Sequence, residues 1–254
     1  MIDLSGKRAF VTGGGRGIGR ATALLLARAG AGVAVGYRSR TADAEETIRA
    51  VGRSGGRAVS VSGDLGDPTA AMRAVHEAAQ ALGGLDILIV NHGIWPADDA
   101  PVAQLTDAQW DGTMRVNLDS VLYVCRAAIP RLPDGAKIVL VSSTAGQRGE
   151  AFHADYAATK GAVIAFTKSL AIELAPRQIN VNSVAPGWVD TEMSEQPYAR
   201  EAGAGRREIE RTIPLGRLAS AEDCAGPIVF LCSDLARHIT GEILNVNDGS
   251  VLCG

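Results

Sequence analysis

Seven short runs rich in β-branched residues recur along the chain, at 8–12, 32–37, 58–63, 86–91, 137–142, 179–185 and 242–246, with stretches of helical character between them. Strands that alternate with helices specify βαβ units, and these specify a parallel sheet covered by helices on both faces. The pattern predicts an α/β chain, and 254 residues with 46% hydrophobic content suffice for one full core over residues 1–254. Helix starts carry their own signals. Asp67-Pro68 reads as an N-cap followed by proline at the first helical position, and Thr106-Asp-Ala-Gln109 reads as a capping box. Between Met193 and Arg211 the pattern is weak, and this stretch (191–211 at its widest) reads either as a lid over a site or as a mobile surface loop.

Composition narrows the function. A net charge of −3 gives no electrostatic reason to expect nucleic acid or an anionic membrane as partner, so the expected ligand is a small molecule. The N-terminus lacks the apolar core of a signal peptide, and no apolar run approaches the ~18 residues of a spanning helix, which predicts a cytoplasmic protein. Cys125, Cys224, Cys232 and Cys253 and the histidines 76, 92, 153 and 238 are scattered, whereas a metal site needs clustered ligands. No metal is expected, and Cys125 and Cys232 read as small buried hydrophobes.

The first strand runs into Thr12-Gly13-Gly14-Gly15-Arg16-Gly17-Ile18-Gly19, and a helical run follows at once. Glycines at a strand-to-helix turn let backbone approach a pyrophosphate, which the helix N-terminus stabilises with free N–H groups and its dipole. The turn predicts a dinucleotide site. NAD-selective enzymes place a carboxylate about 20 positions onward, on the ribose 2′-hydroxyl. Here the second strand ends Tyr37-Arg38-Ser39-Arg40, without one. Arg38 and Arg16 would instead meet a 2′-phosphate, with Ser39 hydrogen-bonding to it, so NADP is expected and NAD is the weaker candidate. The other reading makes these arginines ordinary solvated charges.

Further along, Tyr156 and Lys160 lie one helical turn apart, where side chains share a face. A neighbouring ammonium favours phenolate and is expected to move the tyrosine toward neutral pH, making it a proton donor or acceptor for an alcohol/ketone pair. Ser143 follows the run Lys137-Ile-Val-Leu-Val-Ser142, a buried strand, so its hydroxyl should lie at the carboxyl end of the sheet, where ligands bind. Val163, Phe166, Leu170 and Leu174 continue the Tyr156 helix with apolar residues on one face, up to Pro176.

With glycine turn, serine, tyrosine and lysine in order, the whole chain resembles the short-chain dehydrogenase/reductases, most of all their 3-oxoacyl-(acyl-carrier-protein) reductase-type members. The resemblance implies a Rossmann fold with a doubly wound seven-stranded sheet. It implies that Asn117, in Arg-Val-Asn-Leu, completes a catalytic set with Ser143, Tyr156 and Lys160 by holding a water that relays protons; the alternative for Asn117 is a structural amide. It also implies cofactor contacts from Gly13, Gly15, Arg16, Gly17, Ile18, Gly19, Asp64, Leu65, Asn91, Gly93, Tyr156 and Lys160, and from Pro186, Gly187, Val189 and Thr191 around the nicotinamide. His92 stands where the family motif has alanine, and Val90 where it has asparagine, which leaves open how the fourth strand is braced. Homotetramers are implied, assembled through the helices carrying Asn117 and Tyr156 and through the C-terminal strand region, with the near-apolar ending to Gly254 buried between subunits.

Trp95, His153 and Trp188 should border the space before the nicotinamide, which suggests a modest ketone or β-oxoacyl group as substrate. Arg177 could contact an acidic carrier protein if the substrate is an acyl thioester. A sugar/polyol or cyclic-alcohol dehydrogenase is the alternative within the family. An idle NADP-binding regulatory protein is the alternative outside catalysis.

Overall fold

The computed structural model describes residues 2–252 except residue 97. Seven parallel strands, β1 (Arg8–Thr12), β2 (Gly32–Tyr37), β3 (Ala58–Ser62), β4 (Ile87–Val90), β5 (Lys137–Val141), β6 (Asn180–Pro186) and β7 (Ile243–Val246), form one sheet in the order 3-2-1-4-5-6-7. Each lies within a residue or two of its sequence-predicted run. Register follows from the apolar residues alone, because in a sheet buried on both faces alternate side chains feed opposite layers. Phe10, Leu88, Ile138, Leu140 and Val181 face one core, against α3 (Pro68–Leu82), α5 (Ser120–Ala128) and α7 (Ala154–Leu174). Ala9, Val11, Val33, Val35, Ile89 and Val139 face the other, against α1 (Gly17–Arg28), α2 (Thr41–Arg53) and α9 (Ala221–Leu231). Cys125 and Cys232 are buried in these two cores as small apolar side chains.

The helix starts have physical causes. Asp67 accepts from the backbone N–H of Ala70 at 2.7 Å, with proline beginning the helix. At α4 (Asp107–Met114), Thr106 accepts from Gln109 N–H at 3.2 Å, yet the expected reciprocal bond of the box is replaced: Gln109 Nε2 donates to Asp155 Oδ2 on α7. A capping box does form at Ser220 and Asp223, in front of α9.

Residues 193–211, whose sequence left open a lid or a mobile surface loop, are largely helical. They fold largely into α8 (Glu195–Thr212), which follows the short α6 (Thr144–Arg148) and α7 in chain order. Tyr198 is buried and donates its hydroxyl to Val189 O at 2.9 Å, and Arg206 pairs with Asp190 at 2.8 Å, so this helix is tied to the segment after β6.

Candidate active site

The order reverses between β1 and β4, and the crevice beyond the carboxyl ends of these strands is where an open sheet binds ligands. A cleft of about 360 Å³ opens there. Its cofactor end is built by the glycine turn. Gly13 (φ 63°) and Gly17 (φ 49°) occupy left-handed backbone, and a Cβ on Gly19 would stand 2.1 Å from Gly13 O, so this third glycine serves packing and does not line the cleft. The N-terminus of α1 has no acid in its first turn and, unlike α3 and α9, no side-chain cap on its first N–H groups. Unpaired N–H groups at a positive helix end fit a pyrophosphate.

Gly15, Arg16, Ile18, Arg38, Ser39, Leu65, Asn91, Gly93, Pro186, Gly187, Val189 and Thr191 all line the same cleft. A carboxylate does reach the corner at the end of β2: Asp43, from the first turn of α2. It lies 3.5 Å from Arg40 Nη1, so the pair is close to neutral and Arg16 and Arg38 leave the corner positive. Asp64 is held by Arg115 Nη2 at 2.5 Å and by Gly66 N–H at 3.1 Å. Asn91 spends its amide on the strand ends, donating to the carbonyls of Thr12 and Gly13 at 3.2 Å each.

His92, the departure from the family motif, is the brace. Its Nδ1 lies 2.8 Å from Thr12 Oγ1 and its Nε2 lies 2.6 Å from Ser120 Oγ. Each hydroxyl also reaches a backbone carbonyl, Ser120 that of Val116 at 2.6 Å and Thr12 that of Ile89 at 3.2 Å, so the ring links two anchored side chains. Burial, with the Lys160 charge nearby, pushes this imidazole down to about 3, and it stays neutral.

At the other end, Ser143 follows β5 as the N-cap of α6, accepting from Ala145 N–H at 3.1 Å. Tyr156 and Lys160 share the first turns of α7. A Cβ on Gly146 would lie 2.4 Å from the Lys160 carbonyl carbon, so glycine is required for α6 to bring Ser143 against α7. Lys160 Nζ donates to Val141 O at 2.9 Å and sits 5.7 Å from the Tyr156 ring centre. The expected lowering of the phenol is not what the chain alone produces. Burial pushes Tyr156 up to about 12 against a hydrogen bond with Ser143, with Glu150 raising it further, while burial brings Lys160 down to about 8. Desolvation sets both directions, because both groups are almost wholly enclosed.

Two residues lie a layer behind their expected places. Asn117 sits in a π-helical turn, Arg115–Asp119, and its amide clamps Ile94, accepting from Ile94 N–H and donating to Ile94 O at 2.8 Å each. It therefore holds the loop after β4 and forms the wall behind Gly93. His153 does not line the cleft; it stacks behind Trp95 at 4.3 Å, and Trp95 meets Trp188 edge-on at 6.2 Å. Sequence reasoning missed Ile94, Arg148 and Glu150, which line the same end as Met193, a residue of the candidate lid. No motif marks them; they arrive through loop geometry. Arg177 is spent internally on Asp134 (3.1 Å) and on the carbonyls of Ile129 and Leu132, and it precedes β6, at the amino ends of the strands, opposite the cleft.

Residues 13–250 match the family model described as enoyl-(acyl carrier protein) reductase. The chain belongs to the short-chain dehydrogenase/reductase family of oxidoreductases. It is 37% identical to the L-rhamnose 1-dehydrogenase (NAD(P)(+)) of a Sphingomonas species and 37% identical to the 3-oxoacyl-[acyl-carrier-protein] reductase of Aquifex aeolicus, each match covering 98% of both chains. It is likewise similar to a short-chain dehydrogenase from Burkholderia cenocepacia solved in complex with NADP, at 37% identity and a TM-score of 0.90, covering 97% of this chain and 98% of that one. Among the described residues no helix is long and apolar enough to cross a membrane.

Proposed function

We propose that this chain is an NADP(H)-dependent oxidoreductase interconverting a ketone and a secondary alcohol, with Asn117, Ser143, Tyr156 and Lys160 as its working set. The observation that carries the reading is one cleft that joins a basic corner and an uncapped helix N-terminus to Ser143 and the buried Tyr156 and Lys160. Arg16, Arg38 and Ser39 would hold the 2′-phosphate, and the first turn of α1 the pyrophosphate. When bound, the nicotinamide supplies the hydride to the carbonyl carbon, or takes it back from the alcohol. Ser143 donates a hydrogen bond to the substrate oxygen, and Tyr156 moves the proton to or from that same oxygen. A phenol held at about 12 keeps its proton at neutral pH, which favours service as the acid of a reduction. Lys160 lies beside the phenol and faces the space behind Gly93, where its ammonium holds the ribose. Asn117 acts by fixing Ile94 and Gly93 at the wall of this space. Met193 and Ser194, at the head of α8, close the substrate side.

The similarity to a relative solved with NADP supports the choice of cofactor. A 3-oxoacyl thioester is one substrate that the relatives suggest, and a sugar another. Val102, Trp110 and Leu122 near α4 and α5, and Ile172 on α7, are exposed apolar side chains on the helices expected to meet in a homotetramer. The test is NADPH consumption across acetoacetyl thioesters, cyclic ketones, diketones and sugars. Tyr156→Phe should lower turnover at least ~10²-fold with NADPH binding little changed, since a positioned general acid contributes about that much. A variant keeping half its activity would sink the mechanism.

A further inference from the structure

The substrate end of the cleft is aromatic on two sides and also carries Glu150 and Arg148. Trp95 and Trp188 meet at 73° with ring centres 6.2 Å apart, forming a corner into which a flat ring can pack, and Tyr198 supports Trp188 from behind at 6.0 Å. Glu150 lines this end, close enough to Tyr156 for its charge to be felt there. The indole N–H of Trp95 lies near enough to act on its carboxylate. An indole has one donor, whereas a carboxylate has about four lone-pair positions, so acceptor capacity remains in the pocket.

The turn bearing Glu150 is fixed at both ends. His153 N–H donates to Glu150 O at 3.3 Å and the His153 ring backs Trp95, stacked at an interplanar angle of 16°. Phe152 sits in left-handed backbone (φ 66°), unusual for a bulky residue, and its carbonyl accepts from Ala100 N–H at 3.0 Å. The loops after β4 and before α7 are thereby zipped together. A half-buried carboxylate on such a turn, with spare acceptor positions at a cleft wall shared with Trp95 and Trp188, is stabilised by a further donor.

Building on the ketone-reductase reading, we propose that Glu150 is a specificity residue of the substrate pocket. Its carboxylate accepts a hydrogen bond from a hydroxyl carried by a cyclic ketone whose ring lies against Trp95 and Trp188. An alicyclic hydroxyketone and a hydroxyaryl ketone share this chemistry, and two substrate pairs separate them: cyclohexanone with 2-hydroxycyclohexanone, and 1-tetralone with a ring-hydroxylated tetralone.

For each pair the quantity measured is the ratio of kcat/KM for the hydroxylated to the plain ketone, in wild type and in Glu150→Gln, with NADPH saturating. In at least one pair the wild type should favour the hydroxylated ring, and Glu150→Gln should lower that ratio by about 10-fold or more, the factor expected for one charge-assisted hydrogen bond. The pair responding identifies the ring type. A ratio unmoved by the substitution in both pairs overturns the proposal. Quenching of tryptophan fluorescence, read through Trp95 and Trp188, gives the same comparison without turnover. If no ketone consumed NADPH, the reductase reading would fail, yet tighter binding of the hydroxylated ring that is lost in Glu150→Gln would still support the site. Equal binding in both proteins would overturn it.

Discussion

Lys160 holds its ammonium with 5% of its surface exposed, and burial is what lowers it to about 8. In the unfolded chain it binds its proton up to about 10.5, so between these values the unfolded state binds more protons and stability rises with pH, by about 1.4 kcal/mol per unit. Below about 8 the full cost of the buried charge is present. Lys160→Met should therefore stabilise the cofactor-free protein at pH 7 by on the order of 1–2 kcal/mol, after allowing for the lost bond to Val141, while removing activity. Denaturant midpoints at pH 7 and pH 10 check this: the advantage should shrink at the higher pH, and a variant less stable at pH 7 would contradict it. The pairing of Tyr156 with Lys160 was legible from their spacing together with Ser143 and the glycine turn. The direction in which each titrates was not, because depth of burial is a property of the assembled fold.

At the scale of elements, His92 joins the end of β1 to α5, a connection invisible in a motif where it reads merely as a substitution for alanine. Its folded value near 3 lies below the 6.5 of the free side chain, so its contribution to stability is full above about 6.5 and is lost as pH falls toward 3. His92→Gln should cost stability at pH 7 through the lost bridge, yet flatten the decline between pH 6.5 and 4.5 by up to about 1.4 kcal/mol per unit. Urea midpoints across that range measure it, and equal slopes would show that another group sets the acid limb. The helix α8 was hidden for a different reason. Pro197, Gly203 and Gly205 read as breakers, but Pro197 falls in the first turn, where proline is tolerated. Tyr198 and Ile209, eleven residues apart, lie on one face and join the same apolar cluster with Trp188. Mixed charges cover the remainder, so the pattern looked featureless where it is sparse.

For the whole molecule, the strand runs carried almost all of the architecture, since a parallel sheet buried on both faces writes itself as continuous β-branched segments. Loop-borne residues such as Glu150 and Met193 carry no such signal, and the substrate end was accordingly the least legible part. Val102, Ile172 and Leu252 are 71%, 79% and 91% exposed, large apolar side chains that the expected tetramer would cover. The expected burial of the chain end extends to Cys253 and Gly254, which lie outside the described residues. Light scattering at micromolar concentration should give four times the chain mass of 26.3 kDa, and a monomer would count against it.

The cofactor is the central claim, because the basic corner at the end of β2 and the catalytic group are read as one machine. A 2′-phosphate carries nearly two negative charges, and each arginine meeting it contributes roughly 1.5–3 kcal/mol, or about 10- to 100-fold in affinity. A carboxylate in place of Arg38 would repel the phosphate and accept the free ribose hydroxyls of NADH. The deciding measurement is kcat/KM for NADPH and NADH with one ketone substrate, in wild type and Arg38→Asp. The wild type should prefer NADPH, and Arg38→Asp should narrow or reverse that preference. A wild type that uses NADH better would show that Arg16 and Arg38 are ordinary surface charges.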